Sequence, residues 1–141
     1  MKKFILALLL LPIVMQAQKK GDNKIFAKTP ISMTNLKSIL FDNGYSVIND
    51  DTIFISTTAK ELKGPTIVKM MFVRTDSGVY VKGLKKPAQS VELWGVKTES
   101  DFEMINYIPS VGLGSKSVKE PFNEIDRIAK IISDTVVYSK N

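Results

Sequence analysis

The sequence contains neither cysteine nor histidine in 141 residues. Without thiols the chain cannot be stapled in an oxidising compartment, so it must fold on packing alone. The same absence excludes a lipid-anchoring cysteine at a processing site. Without imidazole or thiolate there is no Ser–His or Cys–His nucleophile, no imidazole general base, and no metal site built on nitrogen or sulfur ligands. Carboxylate, hydroxyl, phenol and ammonium are what remain for chemistry. Neither a Gly-x-Ser-x-Gly nor a Ser-x-x-Lys hydrolase signature is present. These absences point away from an enzyme, and no cofactor is expected.

Long apolar runs are also scarce, and the one that exists is at the start. Lys2 and Lys3 precede an apolar stretch from Phe4 to Val14, and the small residue Ala17 follows. A basic segment, an apolar segment and a small residue at the cut make a secretory signal peptide. As a helix the stretch rises only about 16 Å, roughly half of a hydrocarbon core of about 30 Å. Residues 1–17 are therefore expected to be removed, leaving no transmembrane segment and a soluble periplasmic or extracellular product cut near Ala17. Residues 18–141 then number 124, a length that suits one domain. Loss of Lys2 and Lys3 lowers the formal net charge from +6 to +4, mildly basic and suited to anionic surfaces. Nucleic acid is not expected as a partner, given the address and the lack of a basic–aromatic array along the chain.

Residues 18–30 are polar and read as a flexible leader, with Ile25 and Phe26 able to start a short edge strand. A single α+β domain is expected over 31–141. Leu36, Ile39 and Leu40 share one helical face, Ser32 or Thr34 can cap its start, and Asn43-Gly44 supplies a left-handed stop. Tyr45 to Ile48 and Thr52 to Thr57 read as strands around the turn Asn49-Asp50-Asp51. Ile67 to Thr75 is the longest strand, apolar on both faces, and so expected centrally with cover on each. Asp76-Ser77-Gly78 returns it to Val79–Leu84, and Lys85-Lys86-Pro87 ends that strand. Val91 to Val96 suits a further strand. Residues 98–113 are ambiguous, because Ser100-x-x-Glu103 resembles a capping box while Phe102, Met104 and Tyr107 also suit an extended segment. The last helix opens with Pro121 in its first turn and carries Phe122, Ile125, Ile128, Ala129 and Ile132 on one face. The expected architecture is an antiparallel sheet with both amphipathic helices packed on one face.

The run Leu40-Phe41-Asp42-Asn43-Gly44-Tyr45-Ser46-Val47, then Asp50-Asp51 and Ile53-Phe54-Ile55-Ser56-Thr57, resembles the helix–strand–strand opening of small exported bacterial helix-grip (TATA-binding-protein-like) domains. The resemblance is one of topology and implies a fold, not a function.

Candidate sites divide by chemistry. Gly112-Leu113-Gly114-Ser115-Lys116-Ser117 does not meet the phosphate-loop spacing and reads as a loop before the last helix. Glu99, Asp101 and Glu103 could offer hard oxygen ligands, but a solvated turn is the simpler reading and no metal is expected. Asp50 and Asp51 suit a turn better than a paired-carboxylate centre, which needs a partner across a cleft. Lys82, Lys85 and Lys86, with Arg74 on the partner strand, make a candidate basic patch at a sheet edge. Edge protection against sheet-to-sheet pairing is the expectation for it. Trp94, Phe102 and Tyr107 could anchor a partner or a sugar ring, although size favours Trp94 in the core. These residues point to a non-enzymatic envelope module for a protein partner or an anionic surface polymer. The alternatives are a small-ligand or lipid carrier with a pocket between sheet and helices, and a carboxylate-dependent enzyme.

Overall fold

The computed structural model describes residues 17–109 and 115–141. Apart from Ala17, the expected signal peptide lies outside those residues, as does the glycine-rich stretch 112–114. Among the described residues no helix is long and apolar enough to cross a membrane.

The chain is α+β. Helix α1 (Met33–Asp42) starts where Ser32 Oγ accepts from the Asn35 amide at 3.2 Å. It stops where Gly44 turns left-handed at φ +79°. There the Gly44 amide donates to Phe41 and the Tyr45 amide to Leu40, both at 2.9 Å. Those two bonds satisfy carbonyls that the helix end would otherwise orphan. Strands β2 (Val47–Asp50) and β3 (Phe54–Thr57) follow. Asp51 makes the turn between them, its carboxylate accepting from the Thr52 amide and hydroxyl.

Strands β5 (Thr66–Thr75) and β6 (Gly78–Pro87) form a hairpin paired along its whole length, from Thr66↔Pro87 to Thr75↔Gly78. Strand β6 thus runs past the expected break at Lys85-Lys86-Pro87. Proline ends it without loss, because a terminal position asks nothing of its missing N–H. Short β4 (Lys60–Glu61) extends the cover of β5 beyond β3. Where the β3–β5 ladder stops, the buried Thr57 hydroxyl accepts from the Met70 amide at 3.0 Å.

The segment expected to be a flexible leader is instead part of the sheet. Strand β1 (Lys24–Ala27) lies between β6 and the C-terminal strand β10 (Val136–Ser139), so it is interior, not an edge. Gly21 and Asp22 are tied to Tyr107 by backbone hydrogen bonds, and Asn23 to Ser139. The pairing supplied by β10 converts a short polar-flanked segment into a buried one, with Ile25 and Ala27 fully covered. The capping box at Ser100-x-x-Glu103 starts no helix. Glu103–Met104 form β9 along the edge of β6 that β1 leaves open. The main sheet runs β10-β1-β6-β5-β3-β2. A separate two-stranded unit, β7 (Val91–Leu93) and β8 (Val96–Thr98), stands where one strand was expected.

Helix α2 (Ser115–Ile132) begins before Pro121, which sits inside it and not at its first turn. Its buried stripe is the expected one: Phe122, Ile125, Ile128, Ala129 and Ile132. With Leu36 and Leu40 of α1 these residues cover Ile55, Val68, Met70, Phe72, Val79 and Val81, all on one face of the sheet. Truncating a fully buried Leu36 or Leu40 to alanine costs about 2–5 kcal/mol. The close approach of α2 depends on Gly83. A Cβ there would stand 2.3 Å from Ile125 Cδ1 and 2.8 Å from Ile105 Cδ1.

A polar clasp joins the helices. The buried Tyr45 hydroxyl donates to Glu124 Oε1 at 2.8 Å, and Arg127 grips the same carboxylate at 2.8 and 2.9 Å. Arg127 also donates to Asn43 Oδ1 at 2.7 Å. Lys60 lies over the Tyr45 ring, 4.5 Å from its centre. Burial first, then the Glu124 hydrogen bond, push the Tyr45 phenol well above its ordinary range, so it stays a donor. Arg127 above all, helped by Tyr45 and Lys60, holds Glu124 below the usual carboxylate range against the opposing pull of burial.

Two outcomes are expected. Gly83→Ala destabilises the fold by about 1–3 kcal/mol through overpacking, read as a lower urea midpoint at unchanged slope. Glu124 has a depressed folded-state pKa, so its contribution is complete above the ordinary carboxylate pKa and is lost as pH falls through the folded value. Glu124→Gln should therefore be less stable than the native chain at neutral pH. The two denaturation curves should converge on acidification below about pH 4.

Candidate functional site

Strand alternation divides the central hairpin between two environments. In β6, Val79, Val81 and Gly83 face the helices, while Tyr80, Lys82, Leu84 and Lys86 face the other way. In β5 the same division sends Ile67, Lys69, Met71 and Val73 to that second face. No described helix covers it: both helices pack on the opposite side. The expectation of cover on each face of β5 is thus met on one face only, and Val73 remains 39% exposed.

Register assembles this open face into rows. Phe54↔Val73, Val73↔Tyr80, Tyr80↔Phe26 and Phe26↔Val137 are directly paired, so one apolar row crosses β3, β5, β6, β1 and β10. Phe26 and Tyr80 stack with ring centres 4.6 Å apart and planes tilted by 35°. Lys24 Nζ lies 5.2 Å from the Tyr80 ring. Nearer the other end of β6, Phe102 sits beneath two ammonium groups, Lys69 at 4.1 Å and Lys86 at 5.1 Å. Lys82, between the two aromatic clusters, donates to Asn141 Oδ1. No aspartate or glutamate occupies a position on this face in β1, β3, β5, β6 or β10. The lysine stems lie along the apolar surface with their heads in water, and cation–π attraction holds some of them over rings. At the β1–β10 end the face dips into a groove of about 470 Å³ lined by Lys24, Phe26, Lys28 and Tyr80 and by Thr135, Val136, Val137 and Ser139.

The candidates read from the sequence divide accordingly. Lys82, Lys86 and Phe102 come together on the open face. Lys85 faces the opposite way and pairs with Glu103 at 3.2 Å. Arg74 lies at the far end of β5, beside Pro30, Ile31 and Ser32. Because β6 is central, its lysines are not at a sheet edge, and edge protection does not account for them. Tyr107 is half-buried and meets Phe122 edge-on at 5.2 Å, so it belongs to the core margin. Phe26, Tyr80, Lys24 and Lys69 were not singled out in the linear sequence. Their signal was the doubly apolar β5 and the Tyr-x-Lys-x-Leu-x-Lys alternation of β6.

Trp94 is not in the core. It is 99% exposed at the tip of the β7–β8 hairpin. Leu93↔Val96 pairing leaves Trp94 and Gly95 as a two-residue loop, with φ +57° and +78°. A loop with both central residues left-handed matches the strand twist, and Asn-Gly is its preferred sequence. For a tryptophan the left-handed conformation costs roughly 1–2 kcal/mol. Gly95 after a short β-run was the legible sign of this turn.

Among the described residues no group of three or more carboxylates is gathered closely enough to hold a metal ion. Glu103, one of the three acids considered for that role, is engaged by Lys85. Comparison with protein-family models, with curated proteins and with solved structures gives no match for this chain.

Proposed function

We propose that the chain is an exported, non-enzymatic interaction module that holds an anionic surface polymer against the open face of its sheet. The lysine-framed aromatic row carries this reading. The tilted Phe26–Tyr80 pair in an apolar row offers aromatic faces, and ammonium groups beside it attract carboxylate or sulfate. The leader composition supports export, and the absence of histidine and cysteine supports binding over catalysis. The groove belongs to this outer face and not to a space between sheet and helices, which favours a surface binder over an enclosed carrier.

The basic–aromatic array that the linear sequence does not display is assembled by strand pairing. Such an array also suits single-stranded nucleic acid, and the export expected from the leader composition is what turns the reading toward polymer. Calorimetric titration with polygalacturonate should show binding that weakens as salt rises. Replacing Lys24, Lys69, Lys82 and Lys86 together by glutamine should weaken it about tenfold or more, and Tyr80→Ala should weaken it without changing the salt dependence. A quadruple variant that binds like the native chain would overturn the reading. So would a single-stranded oligonucleotide that outcompetes the polysaccharide.

A further inference from the structure

Asn43-Gly44 is the only Asn-Gly pair in the chain, and it ends α1 where the polar clasp meets the helix. An Asn-Gly peptide carries its own reaction. The glycine nitrogen attacks the asparagine Cγ, and the side-chain nitrogen leaves as ammonia. Water then opens the five-membered imide at either carbonyl and gives aspartate or isoaspartate. Glycine favours the step because no Cβ crowds the attacking nitrogen. In this fold the nucleophile, the leaving group and the backbone between them are all held. The Gly44 amide donates to Phe41 O at 2.9 Å. Asn43 Nδ2 donates to Ile39 O at 2.8 Å, and Oδ1 accepts from Arg127 Nη1 at 2.7 Å. The Asn43 carbonyl accepts from Lys60 Nζ at 2.7 Å. Closing the imide needs Cβ and the Gly44 nitrogen on the same side of the Cα–C bond. At ψ 12° Asn43 turns that nitrogen toward its own N–H instead.

We propose that Asn43 is a site of spontaneous deamidation gated by the end of α1. The reaction is blocked while the helix end and the clasp are closed, and it proceeds when they open. Opening has to break the Gly44–Phe41 bond and free the Asn43 side chain from Ile39 and Arg127. The rate therefore follows the population of the locally opened chain. Neither product fits back as asparagine did. Aspartate keeps an acceptor for Arg127, but it has no N–H to give Ile39 O and sets a carboxylate oxygen against that carbonyl. Isoaspartate adds a methylene to the main chain just before the amides of Gly44 and Tyr45, which donate back to Phe41 and Leu40. Both products loosen the join between α1 and α2 and add one negative charge. None of this depends on what the open face of the sheet binds.

The test incubates the chain at mildly alkaline pH, which favours the attacking amide anion, both folded and in urea above the unfolding midpoint. Peptide mass spectrometry follows residue 43, and methyltransferase labelling reads isoaspartate. Asn43 should convert about tenfold or more faster in the unfolded chain than in the folded one. Asn23, Asn35, Asn106 and Asn123 are each followed by a larger residue, and should stay unchanged over the same period. Arg127→Gln removes one hold on the side chain, and its folded form should convert at a rate between the two. A urea series below the midpoint asks the same question of the native chain without a variant, and the rate should rise along it. Folded chain that has converted should unfold at a lower urea concentration than fresh chain. Conversion equally fast in the folded and unfolded chains would overturn the gate. Absence of conversion at Asn43 in urea would overturn the site itself, and a rate in folded Arg127→Gln equal to the native one would remove the clasp from it.

Discussion

One-sided cover of the sheet is the constraint from which the rest of this molecule follows. The central hairpin β5–β6 carries apolar residues on both faces, yet only two described helices pack on the sheet, and they share a side. Each lays its own apolar stripe on that side, and the Tyr45–Glu124–Arg127–Asn43 network ties the end of α1 to the middle of α2. A layer built that way fills one face with Phe72, Met70, Ile125 and their neighbours. It leaves Phe26, Tyr80, Met71, Val73 and Leu84 to be kept in water by other means. Lysine stems are those means. They shield hydrocarbon while presenting charge, which protects a broad apolar face from collapse onto another copy of itself. The same device makes the face cationic. A covering that suits water and a surface that suits an anion are here the same side chains.

Much of the covered face was legible in the sequence. The α1 and α2 stripes, the Asn43-Gly44 stop and the Asp76-Ser77-Gly78 hairpin each rest on contacts within a few residues, where periodicity and turn chemistry speak directly. What the sequence concealed rests on long-range pairing. Lys24–Ala27 is too short and too polar at its flanks to declare itself a strand. It becomes an interior one only because Val136–Ser139, more than a hundred residues later, pairs with it. Proline favours the first turn of a helix, so the sequence places the start of the last helix at Pro121. The six preceding helical residues, Ser115 to Glu120, carry no comparable signal. The site was hidden for the same reason as β1. Phe26, Tyr80, Val73, Phe54 and Val137 are scattered along the chain, and only register draws them into one row.

The chain has no disulfide to compensate for so open an architecture, and its stability has to come from the covered side. Small features there have large leverage. Gly83 is an example: its missing Cβ admits Ile125 and Ile105 to the same spot above β6, at the cost of backbone freedom in a strand interior. Thr57 is another, its buried hydroxyl satisfying an amide that the end of a ladder would otherwise orphan. Neither residue announces its importance by hydrophobicity.

Trp94 runs against this economy. It lies at the far tip of a small hairpin, almost wholly in water, in a backbone conformation that asparagine or glycine would hold at less cost. Folding of the chain does not use it, because a side chain exposed to that degree contributes almost no burial. The strands that carry it pair Glu92 with Lys97, so the hairpin is neutral, and Glu99 beyond it lies beside Lys86. A left-handed, unburied tryptophan costs stability in isolation. The turn keeps its geometry because Gly95 and the Leu93–Val96 pairing over-determine it.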